Sequence, residues 1–156
     1  MRKLMLLIAV VGLAGSLWGV EPWVGTWKLN IAKSKFPPSA EAAPREGTIV
    51  VRELGADEFE LALTRTQTDG SHSSQRLTWP QKGGALKSQT APSEGRSSVV
   101  TMIEPGEWYT TALQNGKQVQ LIHSVVSKDG KTMRLTVKGT DAQGKPSEQL
   151  AVFDKQ

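Results

Sequence analysis

The sequence predicts an all-β fold, an antiparallel up-and-down β-barrel of 8–10 strands without a large helical lid. Apolar and polar residues alternate with a period of two in segment after segment, and no long window shows helical spacing. Turn pairs such as Asn115-Gly116 separate the segments. Closure into a barrel removes the open edges that a long meander would carry. A two-layer sandwich is the alternative, but it usually needs longer links between strands.

The beginning of the chain has the character of a secretory signal peptide. Arg2 and Lys3 precede an apolar run that ends at Leu17, and a run of about 14 residues is shorter than the roughly 20 that a membrane-spanning helix needs. We expect residues 1–19 to be a signal peptide and residues 20–156 to be the barrel domain. The protein would then be exported, periplasmic or secreted, with no stable membrane anchor after cleavage. A retained anchor is the alternative.

Charge and composition limit the classes of partner. The chain has 156 residues, with 19 basic and 15 acidic side chains and a net charge of +4. Without Arg2 and Lys3 the balance falls to 17 against 15, and the remaining basic residues are scattered among turns, so we expect no nucleic-acid partner. The absence of cysteine excludes disulfides and thiolate chemistry.

The strands follow one another in order. The first opens with "GTWKL", and the segment from 31 to 46, rich in proline and alanine, predicts a turn of helix followed by a loop. A mostly apolar strand comes next, and then a strand with Phe59, Leu61 and Leu63 on one face. Further turns include Asp69-Gly70. The predicted strands lie at 25–29, 47–54, 58–67, 73–79, 97–103, 107–114, 117–127, 132–140 and 147–155, with a short one possible at 85–90.

The opening and closing segments carry a resemblance. "GTWKL", with its Gly-x-Trp on a first strand, is similar to the start of the lipocalin and fatty-acid-binding (calycin) superfamily. "KDGKTMRLTVKGTDAQGK" and "VFDKQ" resemble the closing hairpin and last strand of that architecture. Together with "NIAKSKF" they resemble a group of small exported bacterial lipocalin-like proteins of unassigned function. The resemblance is strong at both ends and thin from 68 to 106.

Two departures from the fatty-acid-binding pattern limit what the resemblance implies. Residues 30–47 are too short and too rich in proline for the two lid helices of those proteins. Their Arg-x-Tyr clamp for the ligand carboxylate falls here on Ala151 and Phe153. The resemblance therefore implies a barrel that binds a small hydrophobic or amphipathic molecule, and it does not carry over a fatty acid as the ligand.

The candidate ligand-binding residues are those expected in the interior. Trp27 is expected to close one end of the barrel, and Trp108, beside Gly106, to lie at a rim. Arg65 and His123 would be the best pair for an acidic ligand group if both point inward, although Arg65 could also reach water at its strand end. The full set is Trp27, Phe59, Leu61, Leu63, Arg65, Trp79, Trp108, Leu121, His123, Met133 and Leu135.

Signals for catalysis are poor. The two histidines, His72 and His123, have no metal-ligand spacing, and the serines beside His72 lie on neighbouring strand positions that point apart. We therefore expect no enzyme, no catalytic residue, no metal and no cofactor. The main hypothesis is a carrier or sensor that desolvates a small, partly apolar molecule. The alternative is a barrel filled by its own side chains that acts as a structural or protein-interaction module.

Overall fold

The computed structural model describes residues 21–37, 43–55, 57–88, 94–140 and 144–156. The described chain forms one antiparallel sheet of eleven strands that is nearly closed into a barrel, as predicted, with a single 3-10 turn at Ile31–Lys33. The predicted signal peptide lies outside the described residues. Strands β1 to β11 are Gly25–Leu29, Pro44–Glu53, Glu58–Gln67, His72–Pro80, Gly84–Ala85, Lys87–Ser88, Arg96–Glu104, Glu107–Gln114, Lys117–Val126, Thr132–Thr140 and Pro146–Lys155.

The barrel is a meander whose first and last strands pair with each other. The sheet order is β5-β7-β8-β9-β10-β11-β1-β2-β3-β4-β6. Trp27 of β1 lies opposite Lys155 of β11 on one side and Ile49 of β2 on the other. The first strand therefore joins the two ends of the domain into a continuous wall.

Two very short strands extend the wall between β4 and β7, where the sheet has its two ends. Gly84 in β5 pairs with Val100 of β7, and Ser88 in β6 pairs with Leu77 of β4. The sequence predicted one short strand here, whereas the chain changes partner within five residues. Gly83 begins this segment with a φ of +84°, and a Cβ atom there would lie 2.7 Å from the carbonyl oxygen of Val100. Only glycine fits so close to the neighbouring backbone.

No helical lid follows β1 in the described residues, as the sequence predicted. The backbone N–H of Asn30 donates to the carbonyl of Val152, and Lys35 forms a bridge with Leu150. The segment that contains the 3-10 turn therefore continues along β11. The Asn30 side chain caps this turn by accepting a hydrogen bond from the backbone N–H of Lys33 at 3.0 Å.

The core lies at one end of the barrel, which we call the closed end. It lies where β3, β8 and β10 begin and where β4, β9 and β11 finish. Side chains that alternate inward from these strands meet there, as the period of two requires. Its buried aromatic and large apolar members are Trp23, Trp27, Phe59, Trp79, Trp108, Met133 and Phe153.

Strand β9 has the opposite orientation to the predicted one. Ser124, which is 1% exposed, lies opposite the buried Trp108 and therefore faces inward. Leu121 and His123 alternate with it and lie on the outer face, so their predicted interior placement is wrong. A bulge occurs where β9 pairs with Ala112 and Leu113 of β8, near the hairpin turn. At this bulge the alternation of inward and outward side chains along β9 shifts by one residue.

Candidate functional site

The floor of the barrel interior is an aromatic cluster at the closed end. The rings of Trp23 and Phe59 meet edge to face, with centroids 5.4 Å apart. Trp108 lies 5.9 Å from Trp23, and Trp79 lies 5.9 Å from Phe59. Trp108 is 6% exposed and packs within this cluster, so its predicted place at a wet rim is wrong. Offset and edge-to-face contacts at these distances are favourable beyond the buried area.

Trp27 closes the same end from the first strand. Its indole is fully buried, and its Nε1–H donates to the carbonyl oxygen of Trp23 at 2.9 Å. The ammonium of Lys155 lies 5.1 Å from the centre of the Trp27 ring, within reach of a cation–π interaction. Gly25 leaves space for this lysine, because a Cβ atom at Gly25 would lie 2.9 Å from Cε of Lys155.

Above the floor, side chains that face the interior are in contact with solvent. Alternation from the buried Phe59 places Leu61 and Leu63 on the inner face of β3, and pairing with the buried Phe153 places Met133 and then Leu135 on the inner face of β10. The partly exposed members of this middle layer are Leu61, Leu63, Leu77, Thr110, Ile122, Leu135 and Ala151. Since these side chains point inward, solvent must reach them through the barrel interior. We call this accessible space the lumen.

Arg65 lies near the open end of the lumen, opposite Gly47 on β2 and Ser73 on β4. A Cβ atom added to Gly47 would lie 3.4 Å from Cβ of Leu29, which faces inward. Gly47 therefore occupies an inward-facing position, and its lack of a side chain leaves space beside Arg65. Arg65 is exposed to solvent, although the protein atoms around it lower the pKa of the guanidinium by desolvation. No described residue forms an ion pair with it.

A recess of about 310 Å³ surrounds this arginine position. Three consecutive residues from each of β2, β3 and β4 line it, at 46–48, 64–66 and 72–74. Most of the lining side chains carry hydroxyl groups, and Oγ1 of Thr66 lies 3.1 Å from Nδ1 of His72. Among the described residues, this contact is the hydrogen bond that the His72 side chain makes.

His123 is part of a separate arrangement on the outer face. Its ring stacks on Tyr109, with centroids 4.5 Å apart and planes at 10°. Its Nε2 lies 2.7 Å from Oε1 of Glu107. The structure therefore does not bring His123 and Arg65 together, and the predicted pair for an acidic ligand group does not form.

The remaining predicted residues face the interior at three levels: the floor, the middle layer and the open end. Trp27, Phe59, Trp79, Trp108 and Met133 belong to the buried floor. Leu61, Leu63 and Leu135 belong to the accessible middle layer and Arg65 to the open end. Their role in binding a ligand stays a prediction. Sequence reasoning missed Trp23, which precedes β1 and so has no strand periodicity to mark it.

The described residues were also compared with the requirements of metal sites and membrane helices. Within the five described ranges, no three His, Cys, Asp or Glu side chains come together as a metal site would need. No helix among the same residues is long and apolar enough to cross a membrane.

Comparison with known proteins shows similarity of structure alone. No protein-family model matches the chain, and no curated protein does. The fluorescent protein UnaG matches 88% of this chain and 100% of its own, with a TM-score of 0.57 at 13% identity. An S-type phycobiliprotein lyase, CPES from Guillardia theta, matches 87% of this chain and 89% of its own, with a TM-score of 0.57 at 10% identity.

A third similar structure is the zebrafish ileal bile acid-binding protein complexed with cholic acid. It matches 86% of this chain and 99% of its own, with a TM-score of 0.53 at 12% identity. These likenesses and the nearly closed antiparallel barrel define the class: the chain has a calycin, lipocalin-like fold. The fold resemblance predicted from the two ends of the sequence is thereby confirmed.

Proposed function

We propose that this protein is an exported barrel that binds a small, partly apolar molecule in its lumen. One observation carries the proposal: apolar side chains that face the interior, such as Leu63 and Leu135, pack against the core but remain partly exposed to solvent. A barrel filled by its own side chains would bury them. A molecule that displaced solvent from this layer would gain about 25 cal/mol for each Å² of apolar surface buried.

The floor supports the proposal because it is rigid and closed. Interlocked aromatic rings at Phe59 and Trp108 would stop a ligand from passing through the barrel. A ligand would then enter from the open end. The zebrafish protein of similar fold is complexed with cholic acid, which supports the binding of a small molecule by a barrel of this kind.

The test is a titration of the full-length protein, after expression and purification, with the neutral fluorophore N-phenyl-1-naphthylamine. We expect saturable binding tighter than roughly 100 μM. Ala151 lies opposite Leu135 and faces the lumen, so Ala151→Trp should fill the middle layer and weaken binding about tenfold or more. Val50, 37% exposed on the outer face, provides the control substitution Val50→Trp, which should leave binding unchanged.

Failure of the wild-type protein to bind the probe, or equal binding by Ala151→Trp and the wild type, would contradict lumen binding. The alternative of a structural or protein-interaction module would then be preferred. Native mass spectrometry of the protein from its own host would identify a co-purified molecule.

Export is proposed from Arg2, Lys3 and the apolar run after them. Because the sequence has no cysteine, an exported protein of this kind would be stabilised by packing and not by disulfides. Intact-mass measurement of the protein recovered outside the cytoplasm should show a chain shorter by roughly 16 to 19 residues. Recovery of the full-length chain in the cytoplasm only would refute export.

A further inference from the structure

Among the residues that the structure describes, the charged side chains that face the lumen near its open end are all cations. Alternation places Arg65 inward on β3. On the opposite wall, the pairing that continues from the buried Ala112 places Arg96 of β7 opposite Gln114 of β8, and Gln114 opposite Lys117 of β9. We call Arg65, Arg96 and Lys117 the cationic rim.

The other polar residues of the open half carry no charge. They face inward by the same alternation and are Ser73, Gln75, Ser98, Gln120, Ser147 and Gln149. Two carboxylates lie nearby. Glu46 lines the recess from the outer row of β2, and Glu94 precedes β7, where its backbone carbonyl accepts a hydrogen bond from Gln114. Neither takes part in an ion pair among the described residues.

Three basic residues of the outer wall, by contrast, have carboxylate partners. Arg52 and Arg76 are both held by the carboxylate of Glu60, and Lys138 is paired with Glu148. None of the described ion pairs includes a member of the cationic rim. A guanidinium that is partly desolvated and has no carboxylate partner is stabilised by an anion that can accept its hydrogen bonds.

The lumen therefore has two chemically different ends. Its floor is aromatic, its middle layer is mostly apolar, and its rim is cationic. We propose that the lumen binds an amphiphile carrying one anionic group, with the anion at the cationic rim and the apolar part directed to the aromatic floor. This inference rests on the proposed lumen binding and specifies the class of ligand and its orientation.

The position of the charge is the distinctive part of the proposal. Ala151 and Phe153 on the last strand offer no cation deep in the barrel. The described floor offers no buried cation either, since its buried members are aromatic and aliphatic side chains and Ser124. An anion placed among them would lose its hydration for the neutral indole N–H donors of Trp23 and Trp79 alone, whereas at the rim it would keep contact with water and meet cations.

The first test compares two probes with the same ring system. The anionic 8-anilinonaphthalene-1-sulfonate and the neutral N-phenyl-1-naphthylamine differ by one sulfonate. We expect Arg65→Met and Arg96→Met each to weaken the sulfonate about fivefold to tenfold and to leave the neutral probe within twofold. Arg134, which is exposed on the outer face of β10, gives the matched control Arg134→Met, which should change neither affinity.

The outcomes separate the two proposals. If neither probe binds the wild-type protein, lumen binding itself is wrong. Lumen binding is supported if the neutral probe binds the wild-type protein and binds Ala151→Trp more weakly. If the rim variants then bind the sulfonate as tightly as the wild type does, the cationic rim is not the anion site and this inference is overturned. Circular dichroism of the variants would confirm that each is folded.

Orientation is tested by quenching of tryptophan fluorescence. In 12-bromododecanoate the bromine is at the apolar end, and in 2-bromododecanoate it is beside the carboxylate. We expect the terminal bromine to quench more strongly, because Trp23, Trp79 and Trp108 surround the floor. Stronger quenching by 2-bromododecanoate at equal saturation would place the carboxylate at the floor and refute the orientation.

Discussion

The imidazole of His123 stacks on the phenol ring of Tyr109 at 4.5 Å on the outside of the barrel, and Glu107 holds its Nε2 at 2.7 Å. The three side chains come from neighbouring strands, and all of them are partly exposed. They cover part of the outer wall and do not face the lumen. A role for His123 in lumen binding is therefore not supported by its position.

Replacement of His123 by alanine should separate stability from binding. Loss of the stacked ring and of the hydrogen bond to Glu107 should lower the free energy of unfolding by about 0.5–1.5 kcal/mol, because the site is partly exposed. The affinity for N-phenyl-1-naphthylamine should change by less than twofold. Chemical denaturation and probe titration measure the two effects. A tenfold loss of affinity in a folded variant would mean that His123 faces the ligand after all.

The tryptophans of the floor should respond unequally to loss of their N–H groups. The indole N–H of Trp27 donates to Trp23, whereas that of Trp79 has no acceptor among the described residues. Trp27→Phe and Trp79→Phe remove similar volume from buried sites. The former should be more destabilising by about 1 kcal/mol, because it also leaves the carbonyl of Trp23 without its donor. Urea unfolding followed by circular dichroism gives the difference, and equal losses would contradict it.

Strands β3 and β9 show what the period-two pattern of the sequence could and could not predict. Alternation correctly paired Phe59, Leu61 and Leu63 on β3, because that strand has one apolar and one polar face. On β9 the same rule failed, because Leu121 and His123 belong to the more apolar face and yet point outward. The bulge opposite Ala112 and Leu113 that accompanies this phase is a property of the hairpin pairing, and it has no signature in the strand itself.

The recess and the rim were beyond sequence reasoning for a different reason. Both depend on the register between paired strands, such as Gly47 opposite Arg65. Strand periodicity indicates which residues share a face, but it does not indicate which strand ends meet. The resemblance at the two ends of the chain predicted the barrel, and it was thin through β4 to β7, where the wall is irregular.

Two glycines with the same backbone conformation should differ sharply in their tolerance of alanine. Gly70 and Gly83 both have a φ of +84°. A Cβ atom at Gly70 would meet nothing within 4 Å, but at Gly83 it would lie 2.7 Å from the carbonyl oxygen of Val100. Gly70→Ala should cost about 1–2 kcal/mol from backbone strain, and Gly83→Ala about 1–3 kcal/mol more from the clash. Thermal unfolding measures both.

If the two variants were equally stable, the wall segment at β5 would be able to move away from β7 without loss. The close packing of Gly83 against the backbone of β7 would then not contribute to closure of the barrel.

Asp154 should make the protein more stable at neutral than at acidic pH. Its carboxylate accepts a hydrogen bond from Nδ2 of Asn30 at 2.6 Å and pairs with Lys33 at 3.0 Å. In order of size, these two hydrogen bonds hold the pKa of Asp154 below its ordinary value of 3.8. The stabilisation is therefore present above the pKa of the unfolded chain, near 4, and is lost as the pH falls through the lower pKa of the folded protein.

The measurement is the unfolding midpoint in urea from about pH 6 to about pH 2. Asp154→Asn should be less stable than the wild type at pH 6, and the difference should shrink as the pH falls. Asp57→Asn, at an exposed carboxylate without an ion pair in the described structure, serves as the control. Parallel curves for Asp154→Asn and the wild type would contradict the assignment.

The pairing between β1 and β11 also determines when the barrel can close during synthesis of the chain. Trp27 lies opposite Lys155, a residue made 128 positions later. At roughly 5–20 residues per second, the ribosome would take about 6–26 s to supply that partner. Throughout this interval the first strand has one unpaired edge, and the floor lacks Phe153. The chain thus remains open to other strands, and to the factors that guard against such pairing, until the strand Pro146–Lys155 has been made.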